Sequence, residues 1–570
     1  MNILLKNNKS CCFRYLIRSL VVLLITFMPV VLTAQVTTLS DWTNLYDGTS
    51  SPGNLTYNVP AGSGEHRILV VGIATTRSTN GTRTVGISYG GQTLTAVNGD
   101  LGDYTRQHTQ LYYIDEAGLD AATNNTLSVS ISDGTTRRNL VYAAVYDNVY
   151  QVNPITDSNN FNYGSTNIQT FSFSPGLTVN NGDLAIKILH SVRTSSTTAR
   201  TISNFGSNWT IQDQQTASYN TGGSSSDLGF QSAVGYRTIP TSTITDVSTT
   251  TMSGTSLISM TGLSLATRKY FRSVQNGNWN SITTWQESLD NSTWSSATSV
   301  PTSGHNLTTI QSGHIVTLSA DASASSLTIN GTLNTGTYTL SGTTNLTVSS
   351  TGTINVSGTS NFPSGFSAIG LNTGSTINYN MAGNQDIYAT SYSNLTISGT
   401  SGTKTFSGET TVNENLTISR PLVTSNYQLT LGGNFVQNNT FTQGTGTVIL
   451  NGSTTQTISG SSATTFYNLT INKSGGEVTL SKAITVSNIL SLQSGVVNTT
   501  GSNLLTITNT SASAITGGSA TSYISGPLLR YLQAGLSSGT SYNFPIGKSG
   551  SYYPFTLVNP LTGTGTITTT

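Results

Sequence analysis

Short runs in which apolar and polar residues alternate cover most of the chain, and a period of two is the pattern of half-buried strands. In the N-terminal part the runs are long, as in RILVVGIAT at 67–75 and TLSVSISD at 126–133. Turn-forming residues such as Asp and Gly separate successive runs. About nine to eleven such strands without a helical period predict an antiparallel, jelly-roll-like β-sandwich over residues 35–268.

In the C-terminal half the alternating runs are shorter and return about every 20 residues. The phrase SYSNLTISG at 391–399 returns as TFYNLTINK at 465–473, and the apolar positions around it keep an offset of 74 residues. The matched positions are Leu395, Ile397, Phe406, Val412 and Leu416 with Leu469, Ile471, Leu480, Val486 and Leu490, and upstream Gln385 matches Gln456 at an offset of 71. A period near 20 predicts a parallel β-helix, or β-solenoid, over residues 325–515, with two repeats of about 72–74 residues.

The free energy of folding explains why this alternating motif must be repeated along the chain. One coil buries a few Leu, Ile or Val side chains, each contributing about 1.5–3 kcal/mol. Ordering about 20 residues costs about 1–2 kcal/mol each in backbone entropy, so an isolated coil is unstable. Stacked coils pair their backbones and share one apolar column. We therefore expect Leu395, Leu416, Leu469 and Leu490 to line a common interior.

An aromatic-rich segment at 269–324 is predicted to cap the solenoid and to form its first coils. Trp279, Trp285 and Trp294 lie close together there, although the whole chain has only 5 Trp. One interpretation is an aromatic platform for sugar rings. The favoured interpretation is that the rings cover the exposed first coil, because an uncovered strand edge templates aggregation. The three rings are nevertheless the candidate ligand contacts of this chain.

The first 34 residues differ from the rest. Basic residues precede the apolar run LVVLLITFMPVVLTA at 20–34, which predicts a secretory signal peptide cleaved after Ala34. A membrane anchor is the alternative, but a span needs about 20 apolar residues, and no later stretch is apolar enough. Both cysteines, Cys11 and Cys12, lie in this segment, so the mature chain would have no disulfide.

Charge is sparse: 8% of the residues are charged, against about a quarter in typical proteins. Removing residues 1–34 takes away four basic residues and no acidic ones, which changes the net charge from +1 to −3. Such a chain lacks the basic surface that nucleic acids or anionic membranes require, so neither is an expected partner.

Catalysis is not predicted for the solenoid. Enzymes that cleave polysaccharides use clustered carboxylates. From residue 301 onward there are five, namely Asp321, Asp386, Glu409, Glu414 and Glu477. Glu409 and Glu414 are the closest pair, and their odd spacing would place them on opposite faces of a strand. Neither has an acidic match in the second repeat.

No residue of this chain is predicted to bind a cofactor or a metal ion. His305 and His314 could form a metal pair across a turn, but structural roles in the cap are favoured. The sandwich has more carboxylates, at Glu65, Asp100, Asp103, Asp115, Glu116, Asp120, Asp133, Asp147 and Asp183. Most lie at predicted strand ends or turns, where Asp is common. Sugar binding through Ca²⁺ in the sandwich is left open.

Several segments resemble known modules. The repeat GTVILNGSTTQTISGSSATTFYNLTIN at 446–472 resembles a module of cell-surface proteins that gliding-type Gram-negative bacteria export by the type IX secretion system. NGNWNSITTWQ at 276–286 is similar to the unit that often opens such solenoids, and SYISGPLLRYL at 522–532 with YNFPIGKSGSYYPFTLVNP at 542–560 to the segment that often closes them. The resemblance covers about 272–560.

The resemblance implies an exported adhesin-like protein for which the export machinery is a partner. Such proteins typically end in a sorting domain, whereas this chain ends in LTGTGTITTT, so the C-terminal β module at 516–570 is expected to be truncated. In the N-terminal part, VGISYGGQTLTAV, LYYI and VYAAVYDNVYQVNPI resemble a sandwich module of bacterial and phage surface proteins that carries no known site.

The predicted function is that of a non-catalytic structural and adhesive protein, secreted or held on the outer surface of a Gram-negative bacterium. Its solenoid would be a stalk that displays the β-sandwich, and extracellular glycans or surfaces would be its partners. A lectin-like carbohydrate-binding protein is the alternative. A β-helix enzyme that cleaves polysaccharides is the third hypothesis.

Overall fold

A computed structural model describes residues 35–570 except 63–65, 79–80, 82, 99–105, 133–135, 221–227, 241, 537–538, 559, 562, 564–566 and 570. The predicted signal peptide at 1–34 lies outside the described residues. The chain is all-β, with antiparallel sheets in its N-terminal part and a β-solenoid of about 11 turns in its C-terminal part, which confirms the predicted fold class. No helix of the described residues is long and apolar enough to cross a bilayer.

Two compact units make up the chain. The N-terminal unit comprises residues up to Val149, Pro154–Thr267 and Ser288–Thr293. The solenoid unit comprises Tyr150–Asn153, Arg268–Glu287 and Trp294–Thr570.

The N-terminal unit contains seventeen of the described strands and a short helix, α1 (Glu116–Asp120). The strands are β1 (Thr37–Gly48), β2 (Gly53–Thr56), β3 (Ile68–Arg77), β4 (Thr84–Tyr89), β5 (Gln92–Thr93), β6 (Thr95–Ala96), β7 (Gln107–Ile114), β8 (Thr126–Ser132), β9 (Thr136–Asp147), β10 (Ile155–Phe171), β11 (Leu177–Val179), β12 (Leu184–Thr194), β13 (Ile202–Asn204), β14 (Trp209–Tyr219), β15 (Leu228–Arg237), β16 (Ile244–Asp246) and β17 (Thr250–Leu265).

The two halves of this unit share one strand order. The first half has a five-stranded sheet, β1-β9-β3-β7-β6, and a smaller sheet, β2-β8-β4-β5. The second half has the path β10-β17-β12-β15-β14, with β13 beside β17, and a smaller pair, β11-β16. In both halves the first strand lies beside the last, which lies beside the third, and the second strand pairs with the last but one. The antiparallel sheets predicted for this region are present, but the seventeen described strands form two consecutive halves of the same order rather than one sandwich of about nine to eleven strands.

The two large sheets face each other and are buried on both sides. On β3, Ile68 and Val70 pack with Ile186 and Ile188 of the second half. The intervening side chains, such as Leu69, pack instead against the smaller sheet of the first half. The second large sheet packs its other face against the β11-β16 pair. The continuous apolar run of β3 follows from this layering, because a strand covered on both faces has no solvent side.

A neutral histidine lies between the facing sheets. His190 is fully buried, with Nε2 2.5 Å from Thr76 Oγ1 and Nδ1 2.6 Å from Ser232 Oγ. Burial, followed by the charges of Arg138, Arg83 and His108, lowers the pKa of His190 to about 3 from its ordinary 6.5. A histidine whose folded pKa is below its unfolded pKa contributes stability above pH 6.5, and this contribution is lost as the pH falls towards 3.

We therefore expect the N-terminal unit to lose up to about 1.4 kcal/mol of unfolding free energy per pH unit below about pH 6 through His190 alone. Urea unfolding between pH 7 and pH 5 measures the slope, and the slope should be smaller in a His190→Gln variant. NMR titration of the unsubstituted chain tests the cause separately. A His190 resonance that titrates near pH 6.5 would contradict the prediction.

The solenoid unit is built from short strands separated by turns, with two 3₁₀ turns at Ile282–Thr284 and Ala512–Ala514. Its strands are β18 (Tyr270–Ser273), β19 (Gly277–Asn278), β20 (Trp285–Ser288), β21 (Ser295–Ser296), β22 (Leu307–Ile310), β23 (Ile315–Thr317), β24 (Ala322–Ala324), β25 (Ser326–Ile329), β26 (Thr332–Asn334), β27 (Leu340–Gly342), β28 (Asn345–Val348), β29 (Thr353–Val356), β30 (Ala368–Leu371), β31 (Thr376–Tyr379), β32 (Gln385–Ile387), β33 (Ser391–Tyr392), β34 (Asn394–Ile397), β35 (Lys404–Phe406), β36 (Thr410–Val412), β37 (Leu416–Ile418), β38 (Leu422–Val423), β39 (Leu429–Leu431), β40 (Phe435–Gln437), β41 (Phe441–Thr442), β42 (Thr447–Leu450), β43 (Gln456–Ser459), β44 (Thr464–Asn472), β45 (Val478–Leu480), β46 (Ile484–Ser494), β47 (Val497–Asn498), β48 (Leu505–Ile507), β49 (Ile515–Gly517), β50 (Ile524–Ser525), β51 (Leu528–Leu532), β52 (Ser541–Phe544), β53 (Ile546–Lys548), β54 (Ser551–Tyr552), β55 (Phe555–Val558) and β56 (Ile567–Thr569).

Three stacked sheets form the sides of the middle of the solenoid. Sheet A runs through the whole unit in the order β19-β23-β26-β29-β31-β34-β37-β40-β43-β45-β47-β50-β53-β54. Sheet B follows the path β33-β36-β39-β42-β44-β46-β48-β51-β56, with β49 beside β46, and sheet C is β32-β35-β38-β41. One coil passes from sheet C to sheet B to sheet A, as β35, β36 and β37 do. Consecutive coils pair in parallel, for example β34 with β37.

The interior is one continuous apolar cluster, as the sequence predicted. Leu395, Leu416, Leu469 and Leu490 all belong to it, and each is at most 1% exposed. Leu395 pairs with Leu416 across neighbouring coils, and Leu469 pairs with Leu490 in the same way. The alternation of N-L-T-I thus places Leu and Ile inside and Asn and Thr outside.

The 74-residue repeat is out of phase with the coils. Leu395 and Leu416 lie in sheet A, whereas their matches Leu469 and Leu490 lie in sheet B. Coils of about 20 residues do not divide 74 evenly, so the second copy is rotated onto the adjacent side. The rotation is tolerated because strands on every side bury alternate residues in the same way.

The matched glutamines keep one role despite this rotation. Gln385 Nε2 donates to the Val356 and Gly358 carbonyls, each at 2.8 Å. Gln456 Nε2 donates to the Leu431 carbonyl at 2.9 Å and to the Gly433 carbonyl at 2.6 Å. Each buried glutamine therefore bonds two backbone carbonyls at a corner of a preceding coil, which satisfies the polar atoms of its own side chain inside the solenoid.

Candidate binding grooves on the solenoid

The three tryptophans occupy different environments. Trp279 and Trp285 are each 1% exposed and meet edge to face, with ring centroids 5.1 Å apart. Trp285 Nε1 donates to the Trp279 carbonyl at 2.7 Å. Trp294 is partly exposed, and the Arg272 guanidinium lies 4.4 Å from its ring centroid. Among the three tryptophans, only Trp294 therefore has a ring that a ligand could reach in the folded protein. The Arg272 guanidinium already lies over this ring.

The two closest carboxylates of the solenoid lie at opposite ends of β36. Glu409 immediately precedes this strand, at the corner between sheets C and B, and Glu414 follows it, at the corner between sheets B and A. Each glutamate lines a separate groove. The structure does not bring the pair together.

A groove of about 450 Å³ crosses several coils at the corner between sheets B and A. Its floor contains Gly432 and Gly433, where a Cβ atom would lie 2.3 Å from the carbonyl oxygens of Asn413 and Glu414, respectively. Side chains are thus excluded from this corner by the close stacking of backbones. The lining consists of Asn413, Glu414, Asn415, Gly432, Gly433, Asn434, Asn451, Gly452, Ser453, Thr454, Thr455 and Ser474.

Asparagines fix the shape of this groove. Asn394 Oδ1 accepts from the Asn415 backbone N–H at 3.2 Å, Asn415 Oδ1 from Asn434 at 3.1 Å, and Asn434 Oδ1 from Thr457 at 2.8 Å. Glu414 is held by the preceding coils, since its Oε2 accepts from Ser393 Oγ at 2.6 Å. Amide and hydroxyl groups therefore line a wall whose backbone is rigidly tied from coil to coil.

A second groove, of about 370 Å³, lies at the corner between sheets C and B. Thr390, Ser391, Glu409, Thr410, Thr411, Gln428 and Thr430 line it. Glu409 is exposed, and the hydroxyls of Thr411 and Thr430 belong to outward positions on neighbouring strands of sheet B. Strands in a sheet are about 4.8 Å apart, so these polar groups recur at that interval along the groove.

Both grooves are lined mainly by neutral groups that can form hydrogen bonds with a ligand. Each lining contains one carboxylate, whereas glycoside hydrolysis generally uses two carboxylates that flank one bond. Amides and hydroxyls both donate and accept hydrogen bonds, which suits polyhydroxyl ligands. Sequence reasoning missed the grooves because Asn, Thr and Gly are common everywhere in this chain. The larger groove does have one signal in the sequence, which is the Gly432-Gly433 pair. This pair occupies the corner at which the preceding coil has Asn413 and Glu414.

The two histidines of the cap have different neighbours. His305 is 5% exposed and stacks on Tyr150, with ring centroids 4.4 Å apart. Burial lowers the pKa of His305 to about 3. His314 instead places Nδ1 2.9 Å from Ser273 Oγ.

The carboxylates of the N-terminal unit that could serve Ca²⁺ are only partly described. Glu65, Asp100, Asp103 and Asp133 lie outside the described residues. Glu116 forms an ion pair with Arg67, and Asp115 caps α1 through the Gly118 N–H at 3.0 Å. Among the described residues, no three His, Cys, Asp or Glu side chains are grouped to hold a metal ion. Sugar binding through Ca²⁺ therefore stays an alternative hypothesis for this unit.

Comparison with known proteins gives no relative: no family model, curated protein or solved structure matches this chain.

Proposed function

We propose that this chain is a non-catalytic structural and adhesive protein, secreted or displayed on the outer surface of a Gram-negative bacterium. The observation that carries the proposal is the long solenoid of about 11 turns, whose grooves offer neutral hydrogen-bonding groups and one carboxylate each. A stacked solenoid provides an extended, repetitive surface, which suits many weak contacts with another surface. The apolar run at 20–34 supports export.

Carbohydrate binding is the second candidate function. The two grooves favour it, because hydroxyl and amide groups recur there from coil to coil. An enzyme that cleaves polysaccharides is the third hypothesis, and it would need a second carboxylate beside Glu409 or Glu414.

Beads coated with residues 35–570 test the proposal. We expect the coated beads to adhere to polysaccharide-coated surfaces or to cells more than albumin-coated beads do, and we expect no release of reducing ends from a panel of neutral and acidic polysaccharides. Adhesion no greater than that of the albumin control would refute an adhesive function. Reducing ends that accumulate in proportion to protein concentration would refute the non-catalytic one.

A further inference from the structure

A row of tyrosines follows the corner between sheets C and B. Tyr388 lies between β32 and β33, Tyr427 between β38 and β39, and Tyr467 within β44. Tyr388 is 41% exposed and Tyr427 is 40% exposed, while Tyr467 is partly exposed. Single exposed side chains of this kind are common on protein surfaces, so it is their recurrence along one corner that suggests a binding role. We call Tyr388, Tyr427 and Tyr467 the tyrosine row.

The tyrosines occupy every second coil, and the coils between them have glycine at this corner. A Cβ atom at Gly408 would lie 2.8 Å from the Ala389 Cβ, directly beside the Tyr388 coil. A Cβ atom at Gly446 would lie 2.6 Å from the Tyr427 carbonyl oxygen. The coil of Tyr467 stacks directly on the coil that contains Gly446, since Gln443 Oε1 of that coil accepts a hydrogen bond from the Tyr467 backbone N–H at 2.9 Å.

This alternation sets the spacing of the row. Neighbouring strands lie about 4.8 Å apart, so tyrosines two coils apart recur at about 9.6 Å along the solenoid. That interval is comparable with the length of one disaccharide unit in an extended β-linked glycan. Glycine in the intervening coils leaves room between successive rings.

The groove beside the row supplies the polar half of a sugar site. The Glu409 groove lies between the coils of Tyr388 and Tyr427, and Thr390 and Gln428 form part of its lining. Binding sites commonly combine aromatic surface with a few placed polar groups, and a tyrosine ring gives a ligand a large apolar contact at little entropic cost. A sugar ring has an apolar C–H face and a rim of hydroxyls, which matches this pairing.

We propose that the tyrosine row and the Glu409 groove bind a neutral, extended β-linked polysaccharide chain that runs along the solenoid axis. The proposal rests on the proposed adhesive function and names its ligand class. Tyr388 is braced for this role by Phe362, whose ring stacks on it with centroids 5.0 Å apart. Glu409 is the only charged residue of the lining, so its carboxylate repels uronic acids and sulfated sugars and favours uncharged ones.

Binding of residues 35–570 to cello-, chito- and β-1,3-gluco-oligosaccharides, measured by isothermal titration calorimetry, tests the proposal. We expect at least one of the three series to bind, with affinity that rises with chain length up to the span of the row. Tyr427→Ala should weaken binding at least about fivefold, and the Tyr427→Ala/Tyr467→Ala double variant should abolish it. Tyr338→Ala is the matched control, because Tyr338 is 38% exposed but lies at another corner, between β26 and β27.

Equal unfolding midpoints of the variants exclude loss of folding as the cause. The proposal is overturned if none of the three series binds, if Tyr338→Ala weakens binding as much as Tyr427→Ala does, or if only an acidic polysaccharide or a peptide binds. Bead adhesion that persists without any glycan binding would overturn this inference and leave the adhesive function standing. Glycan binding by a chain whose coated beads do not adhere would support this inference and refute the adhesive function.

Discussion

Leu416→Asp is expected to unfold the middle of the solenoid. Leu416 is fully buried and lies between Leu395 of the preceding coil and Phe435 of the next. The substitution removes an apolar side chain from the shared column and places a carboxylate there without a cation. We expect a loss of more than about 5 kcal/mol in the stability of the adjoining coils, seen as a lower urea midpoint and as new protease cleavage near β36 and β37.

Thr417→Asp is the matched control, because Thr417 is the next residue along the same strand and points away from the core. We expect its effect to stay within about 0.5 kcal/mol. Leu416→Ala, which leaves a cavity but no charge, should fall between the two at about 2–5 kcal/mol. If Thr417→Asp destabilised the chain more than Leu416→Asp did, the assignment of inner and outer residues would be wrong.

Arg530→Ala is expected to loosen the C-terminal end of the solenoid. Arg530 is fully buried, and its guanidinium donates to the Asn543 carbonyl at 2.8 Å and to the Ser511 and Ala512 carbonyls at 2.7 Å each. Alanine would remove these three hydrogen bonds, and hydrogen bonds that involve a charged group contribute about 1.5–3 kcal/mol each. We expect a loss of at least about 3 kcal/mol, measured as faster amide hydrogen exchange in β51 and β52.

Arg420→Ala provides the comparison. Arg420 is partly exposed, and its Nε donates to one carbonyl, that of Gly399, at 2.6 Å. Its removal should cost about 1 kcal/mol or less, because water can reach the freed carbonyl. Equal effects of the two alanine variants would show that Arg530 does not tie the end of the solenoid together.

Arg530 belongs to a wider pattern in which backbone carbonyls, rather than carboxylates, hold the buried cations of the solenoid. Lys404 Nζ donates to the Met381 and Gly383 carbonyls at 2.7 Å each. Lys473 Nζ donates to the Thr454 carbonyl at 2.8 Å, and burial lowers the pKa of Lys473 to about 8. In a chain with so few acidic residues, carbonyls at the corners are the acceptors available to an inward-facing cation.

Local periodicity was sufficient to predict the solenoid, its interior residues and the existence of the repeat. The alternation of apolar and polar residues in N-L-T-I is enough to predict which side chains are buried, and the same alternation recurs from coil to coil. The doubling of the N-terminal sandwich was not predictable in this way. The shared order of the two halves appears only once their strands are paired, and the run at 67–75 is predicted to be a buried strand whatever packs against its second face.

The candidate binding surface was less predictable than the fold. The tryptophans were conspicuous because they are rare, yet Trp279 and Trp285 are buried. Tyr388, Tyr427 and Tyr467 are separated by 39 and 40 residues, and their alignment becomes visible only when the coils are stacked. The grooves depend on which corner each Asn, Gly or Thr occupies, and composition does not reveal that.

Engineered disulfides test the stacking of the coils most directly. Residues 35–570 contain no cysteine, so a Thr396→Cys/Thr417→Cys chain has a single pair. Thr396 and Thr417 face each other on neighbouring coils of sheet A, where strands lie about 4.8 Å apart, within the range of Cα distances that a disulfide spans. Thr396→Cys/Val436→Cys places the pair two coils apart, at about 9.6 Å, which is too far. Mild oxidation should cross-link the first chain and not the second, and cross-linking of the second chain alone would contradict the stacked-coil structure.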